Sequence, residues 1–303
     1  MSIAMNVAVF GLGSMGFGVA ESLVRAGHTT FGFDPDAVQL DRFVSIGGVA
    51  ADVSDIAPEL SAVVVVVLNA AQTENVLFGD AEHPGIVPSL SAGTVVMACA
   101  TVAPEFAKSM AARCEQHNVH YLDAPISGGA VKARQGALSV MSSGTAEALN
   151  AARPLLDATA EKVFVLGDSA GAGSAMKAVN QMLAGVHIAA MAEAITFGVT
   201  QGVEPETFVD VITQCAGNSW MLENRAPHVV AGDYTPHSAV NIWPKDLGIV
   251  LDIAKSAEFV APITTAALQQ YETAVDLGLG LEDDAAIAKV YAKRAGLELP
   301  GVG

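Results

Sequence analysis

One lysine stands out among the residues that could move a proton. Lys177 is the only lysine or arginine between Lys162 and Arg225, and it begins a nearly uncharged stretch that continues to about residue 202. In a buried helix its ammonium would be partly removed from water, which lowers the pKa of a lysine toward the range where it exchanges protons. A lysine that extends from a helix end into solvent is the ordinary alternative, and the residue alone leaves both open.

A second chemical signal is a GxGxxG turn between a strand pattern and a helix pattern. The first glycine permits the tight turn, the second lets a pyrophosphate approach the backbone, and the third lets the helix pack on the strand. The amides at the helix start and its dipole would hold the phosphates. We therefore predict a dinucleotide site rather than an ordinary turn, with contacts from Gly11, Leu12, Gly13, Ser14, Met15 and Gly16.

The cofactor indicated by this turn is NAD. Asp34 ends the second strand pattern, where its carboxylate would accept hydrogen bonds from the adenosine ribose and repel a 2′-phosphate. No lysine or arginine stands beside it to neutralise that phosphate. We interpret Asp36 as a solvated turn residue. Further cofactor contacts are expected at Leu68 and Asn69, which follow the third strand pattern.

A dinucleotide site together with a proton-transferring lysine indicates an enzyme that transfers a hydride to or from an alcohol carbon. When a hydride leaves a secondary alcohol the hydroxyl proton must also depart, so a base has to lie within hydrogen-bond reach of that oxygen. Lys177 suits this role, and in the reverse direction its ammonium would donate the proton. Asn180 and Gln181 lie three and four positions later on the same helix face, and we favour Asn180 as the residue that faces the substrate.

The elements that position these residues predict an α/β domain followed by a helical one. Strand patterns alternate with helix patterns up to about residue 166, which indicates a doubly wound, mainly parallel sheet of the Rossmann type. The last pattern, Lys162–Leu166, is expected to close that sheet, with the boundary between residues 1–166 and 167–303 in the turn Gly167–Gly173. The earlier strand patterns are Asn6–Phe10, Thr29–Phe33, Ala62–Leu68, Thr94–Ala98, Val119–Leu122 and Leu138–Ser142.

The second half carries helical patterns only. The uncharged stretch from about residue 174 to 202 predicts one long buried helix, and it is too apolar for one small domain to cover all its faces, so we expect a homodimer or homotetramer. Four more helices are predicted at Pro205–Thr213, Asp246–Ala257, Pro262–Leu277 and Asp283–Ala295.

Composition limits the partners. The net charge is −17, which disfavours nucleic acid and anionic membranes, and Ala62–Leu68 is too short to span a bilayer. The three cysteines are too scattered for a disulfide framework, so we expect a cytoplasmic protein. His228 and His237 lack the spacing of a ligand pair, and His187 fits a core histidine better than a catalyst, so no metal is predicted.

Three further segments carry a resemblance to the β-hydroxyacid dehydrogenases, the family that includes 3-hydroxyisobutyrate dehydrogenase and tartronate semialdehyde reductase. The segment from Asp123 to Leu138 resembles the family's substrate-binding signature, Gly171–Gln181 its GxGxxxK catalytic signature, and Lys245-Asp246-Leu247 its C-terminal cofactor motif. The resemblance implies that Lys177 is catalytic. It also implies substrate contacts from Ser127, Gly128 and Gly129, and cofactor contacts from Thr101 and Lys245. A solvated Lys245 ahead of an Asp246 helix cap is the alternative.

The implied substrate is a small anionic hydroxy acid. The segments around Asn218 and Lys245 resemble the sugar-acid branch of the family, which acts on L-threonate, and Asn218 could bond extra substrate hydroxyls. The alternative for Asn218 is a helix cap. 3-Hydroxyisobutyrate and tartronate semialdehyde are alternative substrates, and an NADPH-dependent imine reductase or a non-catalytic dinucleotide-binding module is an alternative of another class. Lys177 and Asp34 argue against the last two.

Overall fold

The computed structural model describes residues 4–80 and 84–300. The chain forms two compact units, one that ends at Lys177 and one that begins at Ala178. The division therefore falls inside the long helix, whereas the sequence pattern suggested the glycine-rich turn that precedes it. Each unit has a hydrophobic core of its own.

The first unit is built on five parallel strands in the order β2-β1-β3-β4-β5. Both faces of the sheet are covered: Val7 and Val9 of the first strand enter one core, and Ala8 enters the opposite one. This is the predicted doubly wound α/β arrangement, and it is confirmed. The strands are β1 (Asn6–Phe10), β2 (Thr29–Phe33), β3 (Ala62–Val65), β4 (Val95–Ala98) and β5 (His120–Asp123), with helices α1 (Gly16–Arg25), α2 (Ala37–Ser45), α3 (Val53–Ile56), α4 (Ala70–Phe78) and α5 (Pro104–Glu115).

Three more strands form a second sheet, so the prediction that Lys162–Leu166 closes the main sheet was wrong. The short strand β6 (Ile126–Ser127) pairs antiparallel with β7 (Leu138–Ser142), which pairs parallel with β8 (Ala160–Val165). The chain leaves the main sheet at Pro125, which has no amide hydrogen to continue the β5 ladder. The helices of this part are α6 (Gly129–Gln135) and α7 (Ala146–Thr159).

The regular elements of the second unit are all helices in the part of the chain that the structure describes, as predicted. One helix was missed, because Pro227 lies inside it and proline usually ends a helical pattern. Another begins earlier than predicted, since Pro244 is tolerated in its first turn, and Asp246 is therefore an interior residue rather than a cap. The helices are α8 (Ala172–Thr200), α9 (Pro205–Ile212), α10 (Trp220–Ala231), α11 (Ile242–Ser256), α12 (Pro262–Asp276) and α13 (Ala288–Ala295).

Helix α8 has one buried and one exposed face in the single chain, in line with the expectation that one small domain cannot cover all its faces. Ile188 and Ile195 are fully buried in the core of the second unit, whereas Val179, Leu183 and Phe197 are 53%, 52% and 64% exposed. By length and composition alone α8 could cross a membrane, and 39% of its most apolar window is buried. The core helix of a folded domain can have the same length and composition, and the buried face of α8 lies in such a core.

The glycine turn after β1 is fixed by backbone contacts. Gly11 has a φ of +91°, and a Cβ added there would lie 2.7 Å from the carbonyl oxygen of Val66. A Cβ added at Gly16 would lie 1.9 Å from the carbonyl oxygen of Gly11, an impossible distance. At Gly13, by contrast, an added Cβ meets nothing within 4 Å. Gly11 and Gly16 are therefore required by the fold, and Gly13 is not.

This difference predicts that alanine substitutions at Gly16 and Gly13 have unequal effects on thermal unfolding. Gly16→Ala forces the start of α1 away from the turn, which we expect to cost about 3 kcal/mol or more and to lower the Tm by at least about 5 °C. Gly13→Ala should leave the Tm within about 2 °C of the parent chain. Equal melting temperatures for the two variants, measured by circular dichroism, would contradict this description of the turn.

Candidate active site

A buried carboxylate holds the start of helix α8. Asp123, at the end of β5, is 1% exposed. Its Oδ2 accepts hydrogen bonds from the backbone amides of Gly171 and Ser174, both at 2.9 Å, and from the hydroxyl of Ser143 at 3.1 Å. Its Oδ1 accepts the hydroxyl of Ser174 at 2.7 Å. These bonds satisfy helix-start amides that would otherwise lack partners, and they fix where α8 begins.

Lys177 lies one turn further along α8 and is itself buried, with 8% of its surface exposed. Its Nζ donates a hydrogen bond of 2.9 Å to the carbonyl oxygen of Ile126, the first residue of β6. The sequence suggested either a desolvated lysine or one that extends into solvent, and the structure shows the desolvated one. This bond holds the Lys177 ammonium at Ile126, next to Ser127.

After Ile126 the chain passes from β6 to α6 through two glycines. Ser127 and Gly128 are half-buried and Gly129 is exposed. Gly128 and Gly129 have φ values of +137° and +76°, which residues with a Cβ rarely adopt. The structure thus brings the predicted substrate loop and Lys177 together within the first unit.

Asp34 forms a hydrogen bond with the backbone of the predicted cofactor loop. The carboxylate accepts the amide of Leu12 at 2.7 Å through Oδ2 and the amide of Asp36 at 2.9 Å through Oδ1. Asp34 therefore stands at the glycine turn, as expected for a residue that contacts a ribose. Asp36 is not merely a solvated turn residue, since its side chain accepts the amide of Val38 and caps α2.

The remaining predicted cofactor contacts of the first unit follow β3 and β4. Leu68 is 54% exposed, and its amide donates to the side chain of Gln72. Asn69 caps α4 by accepting the amide of Gln72 at 2.9 Å. Thr101 is half-buried in the loop between β4 and α5. Asn69 thus has a structural role of its own, which the sequence analysis did not foresee.

In the second unit a polar chain connects α8 to α11. Gln181 is 8% exposed and donates to Oδ2 of Asp246 at 2.5 Å, while Lys245 pairs with Oδ1 of the same carboxylate. The side-chain nitrogen of Asn180 donates a hydrogen bond of 2.9 Å to the side-chain oxygen Oε1 of Gln181. The side-chain amide of Gln181 is therefore engaged within the protein, which leaves Asn180 as the better candidate for a ligand contact.

Asn218 lies just before α10, and Ser219 provides the helix cap by accepting the amide of Leu222. The side-chain nitrogen of Asn218 donates to the carbonyl oxygen of Thr213 and to Glu223. Its carbonyl oxygen Oδ1 is buried without a hydrogen-bond partner in the described part of the chain. One polar atom of Asn218 is thus left for another group.

Two neutral groups near Asp123 are excluded as nucleophiles. Burial, with a smaller contribution from the Asp123 charge, raises the pKa of the Cys99 thiol to about 12. The same two causes, in the same order, raise the pKa of the Tyr121 hydroxyl well above its usual value. Both groups therefore stay protonated at neutral pH, and neither is available as a nucleophile.

Sequence reasoning missed the structural partners of the candidate residues. Asp123 was part of a signature but had no assigned role, although an aspartate at the end of a strand was a usable signal. Ser143 and Ser174, which bond it, gave no signal, because their partner lies tens of residues away. The link from Gln181 to Asp246 is of the same long-range kind.

Comparisons with known proteins agree with this geometry. A family model described as the NAD-binding domain of 6-phosphogluconate dehydrogenase matches residues 6–167, and one described as NAD-binding of NADP-dependent 3-hydroxyisobutyrate dehydrogenase matches residues 171–291. An L-threonate dehydrogenase of Cupriavidus necator is 47% identical over 300 residues, which cover 99% of each chain. One of Escherichia coli is 45% identical over 98% of this chain and 97% of its own.

The solved structures give the same result. A crystal structure named as 3-hydroxyisobutyrate dehydrogenase from Salmonella typhimurium has a TM-score of 0.88 and 44% identity, and the match covers 94% of this chain and 99% of that one. The fold of this chain thus matches that of a solved structure named as a dehydrogenase. The chain belongs to the NAD-binding β-hydroxyacid dehydrogenases and is an oxidoreductase with NAD as its cofactor.

Proposed function

We propose that the chain oxidises L-threonate, or a close sugar acid, and that Lys177 transfers the proton of the reacting hydroxyl. The observation that carries the mechanism is the buried ammonium of Lys177, fixed on the carbonyl oxygen of Ile126 beside the Ser127 loop. The substrate is supported by full-length relatives of 44% to 47% identity that are named L-threonate dehydrogenase.

The residues of the glycine turn fit a bound dinucleotide. Gly13 is exposed, and the space an added Cβ would fill is open, so the backbone there is accessible to a phosphate. Gly11 to Gly16 would hold the pyrophosphate and Asp34 the adenosine ribose. NAD, when bound, supplies the hydride acceptor. The carboxylate of Asp34 would repel the extra phosphate of NADP, and this is our proposed reason for a preference for NAD.

In the proposed reaction, Lys177 in its neutral form accepts the hydroxyl proton while the hydride leaves the same carbon. The hydroxyl-bearing carbon loses two electrons with the hydride and becomes a carbonyl. In the reverse direction the Lys177 ammonium returns the proton to the carbonyl oxygen. General acid–base catalysis of this kind contributes roughly 10²- to 10⁴-fold to the rate.

The substrate contacts are proposals that follow from local geometry. Backbone amides of Gly128 and Gly129 and the hydroxyl of Ser127 would bind the carboxylate, since the loop is open and glycine allows a close approach. Asn180 and Asn218 stay as proposed contacts to the substrate hydroxyls. Gln181 would act as a positioning residue through Asp246. Leu68, Asn69, Thr101 and Lys245 stay as proposed cofactor contacts.

We further propose a homodimer or homotetramer in the cytoplasm, with no nucleic-acid or membrane partner. The oligomer is supported by the exposed apolar residues Val179, Leu183 and Phe197 on one helix, which a second subunit would cover. The location is supported by three free cysteines, and the exclusion of anionic partners by the net charge of −17.

An activity panel tests the proposed substrate. Purified protein should produce absorbance at 340 nm with L-threonate and NAD, at a kcat/KM at least about tenfold above those with D-glycerate, 3-hydroxyisobutyrate and 3-hydroxypropionate. NADP in place of NAD should lower kcat/KM by at least about tenfold, because Asp34 faces its additional phosphate. If activity were highest with 3-hydroxyisobutyrate, the proposal that L-threonate is the substrate would be overturned. Reduction of an imine with NADPH, or NADH binding without any turnover, would indicate the alternative functions.

The role of Lys177 is tested by its removal. We expect Lys177→Ala to bind NADH within about threefold of the parent chain, while kcat falls by roughly 10²- to 10⁴-fold, since the variant lacks the proton acceptor. Lys162→Ala, which removes an exposed lysine from β8, is the matched control and should keep full activity. NADH fluorescence titration and steady-state kinetics measure the two quantities. A Lys177→Ala enzyme with nearly normal kcat would refute the assignment.

A further inference from the structure

Three side chains that could ligate a metal meet in the second unit. They are His228 on α10, His237 in the loop that leads to α11, and Asp283 just before a short 3₁₀ helix. One ligand atom from each lies within 4.8 Å of the other two. The sequence predicted no metal because it shows no local ligand spacing, but the fold brings together residues that lie far apart along the chain.

Asp283 forms hydrogen bonds with both histidines of this cluster. It is fully buried, and its Oδ1 lies 2.8 Å from Nδ1 of His228 and accepts the amide of Ala285. Its Oδ2 accepts the backbone amide of His237 at 2.9 Å. The two imidazole rings are 4.8 Å apart and nearly perpendicular. The cluster is thus rigid at Asp283 and open to solvent at His237, whose side chain is exposed.

We propose that His228, His237 and Asp283 bind a divalent transition-metal ion of the Zn²⁺ type. Two imidazole nitrogens and a carboxylate oxygen form a donor set that suits zinc, with water as the fourth ligand. Ligand atoms of a tetrahedral zinc ion lie about 3.3 Å apart, so shifts of about 1.5 Å or less would bring atoms that lie within 4.8 Å of one another to that spacing. The ion would replace the proton between His228 and Asp283.

The electrostatic surroundings favour a cation. The exposed carboxylate of Asp233 lies close enough to His228 and His237 to interact with both imidazoles. Asp283 contributes a second carboxylate, whose Oδ1 lies 2.8 Å from Nδ1 of His228. The site would connect α10 to the loop before α11, and its function would be structural, outside the chemistry at Lys177.

Zinc titration of tag-free protein tests the proposal. After treatment with EDTA and desalting, the parent chain should bind one Zn²⁺ per chain with a Kd of about 10 μM or below in calorimetry, and saturating Zn²⁺ should raise its Tm by roughly 3 °C or more. His237→Gln keeps the backbone bond to Asp283 but removes the exposed ligand, so its affinity should fall at least about tenfold. His187→Gln, which alters a histidine of α8 outside the cluster, is the matched control and should bind like the parent.

The outcomes are distinct from those of the proposed function, because no activity is measured. The melting temperatures of both variants in EDTA show whether the variants are folded. Loss of binding in His237→Gln with retention in His187→Gln would support the site. Absence of saturable binding in the parent chain, or equal Zn²⁺ affinity in His237→Gln, would overturn it and leave the cluster as a hydrogen-bond network.

Discussion

The hydrogen bonds of Asp123 are the constraint on which the candidate active site depends. A charged carboxylate buried in a protein is tolerated only when its oxygens are bonded, and each bond to a charged group contributes about 1.5 to 3 kcal/mol. Asp123 has four such bonds, three of them to Gly171 and Ser174 at the start of α8. One turn later α8 carries Lys177, so the carboxylate at the end of β5 sets where that ammonium meets the carbonyl oxygen of Ile126.

Buried carboxylates have a similar role in the second unit. Asp246 is 2% exposed and joins α8 to α11 through its hydrogen bond with Gln181. Asp284 is fully buried and joins α10 to α11, because it accepts hydrogen bonds from Nε of Arg225 at 2.5 Å and from Nε1 of Trp243 at 3.0 Å. Burial raises the pKa of Asp284 even though Arg225 opposes that shift. The chain has 32 acidic and only 15 basic residues. Two of these basic residues, Arg225 and Lys245, lie beside the buried carboxylates of Asp284 and Asp246, whose negative charges need a partner.

The periodic parts of the structure could be predicted from the sequence. The runs Asn6–Phe10 and Thr29–Phe33 form strands with the predicted limits, and the glycine turn and the long helix follow from their residue types. The second sheet could not be predicted, since β6 is only two residues long and no periodicity marks it. Helix α10 was hidden by Pro227, which the fold accommodates inside a helix.

The candidate site could be anticipated from single residues in two local features, the burial of Lys177 and the contact of Asp34 with the glycine turn, while their chemical roles stay predictions. It was not predictable where two distant residues act together. The choice between Asn180 and Gln181 depends on Asp246, which is 65 residues away from Gln181, and the cluster of His228, His237 and Asp283 depends on three separate segments. Local spacing contains no information on such pairs, because the tertiary fold alone brings them together.

The most direct test of the account is the steady-state turnover of Asp123→Asn with NAD and L-threonate, measured beside its NADH affinity. The asparagine keeps the size of the side chain but replaces one acceptor oxygen with a donor, so the start of α8 and Lys177 should be displaced. We expect kcat to fall at least about tenfold while the Kd for NADH changes by less than about threefold. A folded Asp123→Asn enzyme whose kcat matches that of the parent chain would contradict the claim that this carboxylate positions Lys177.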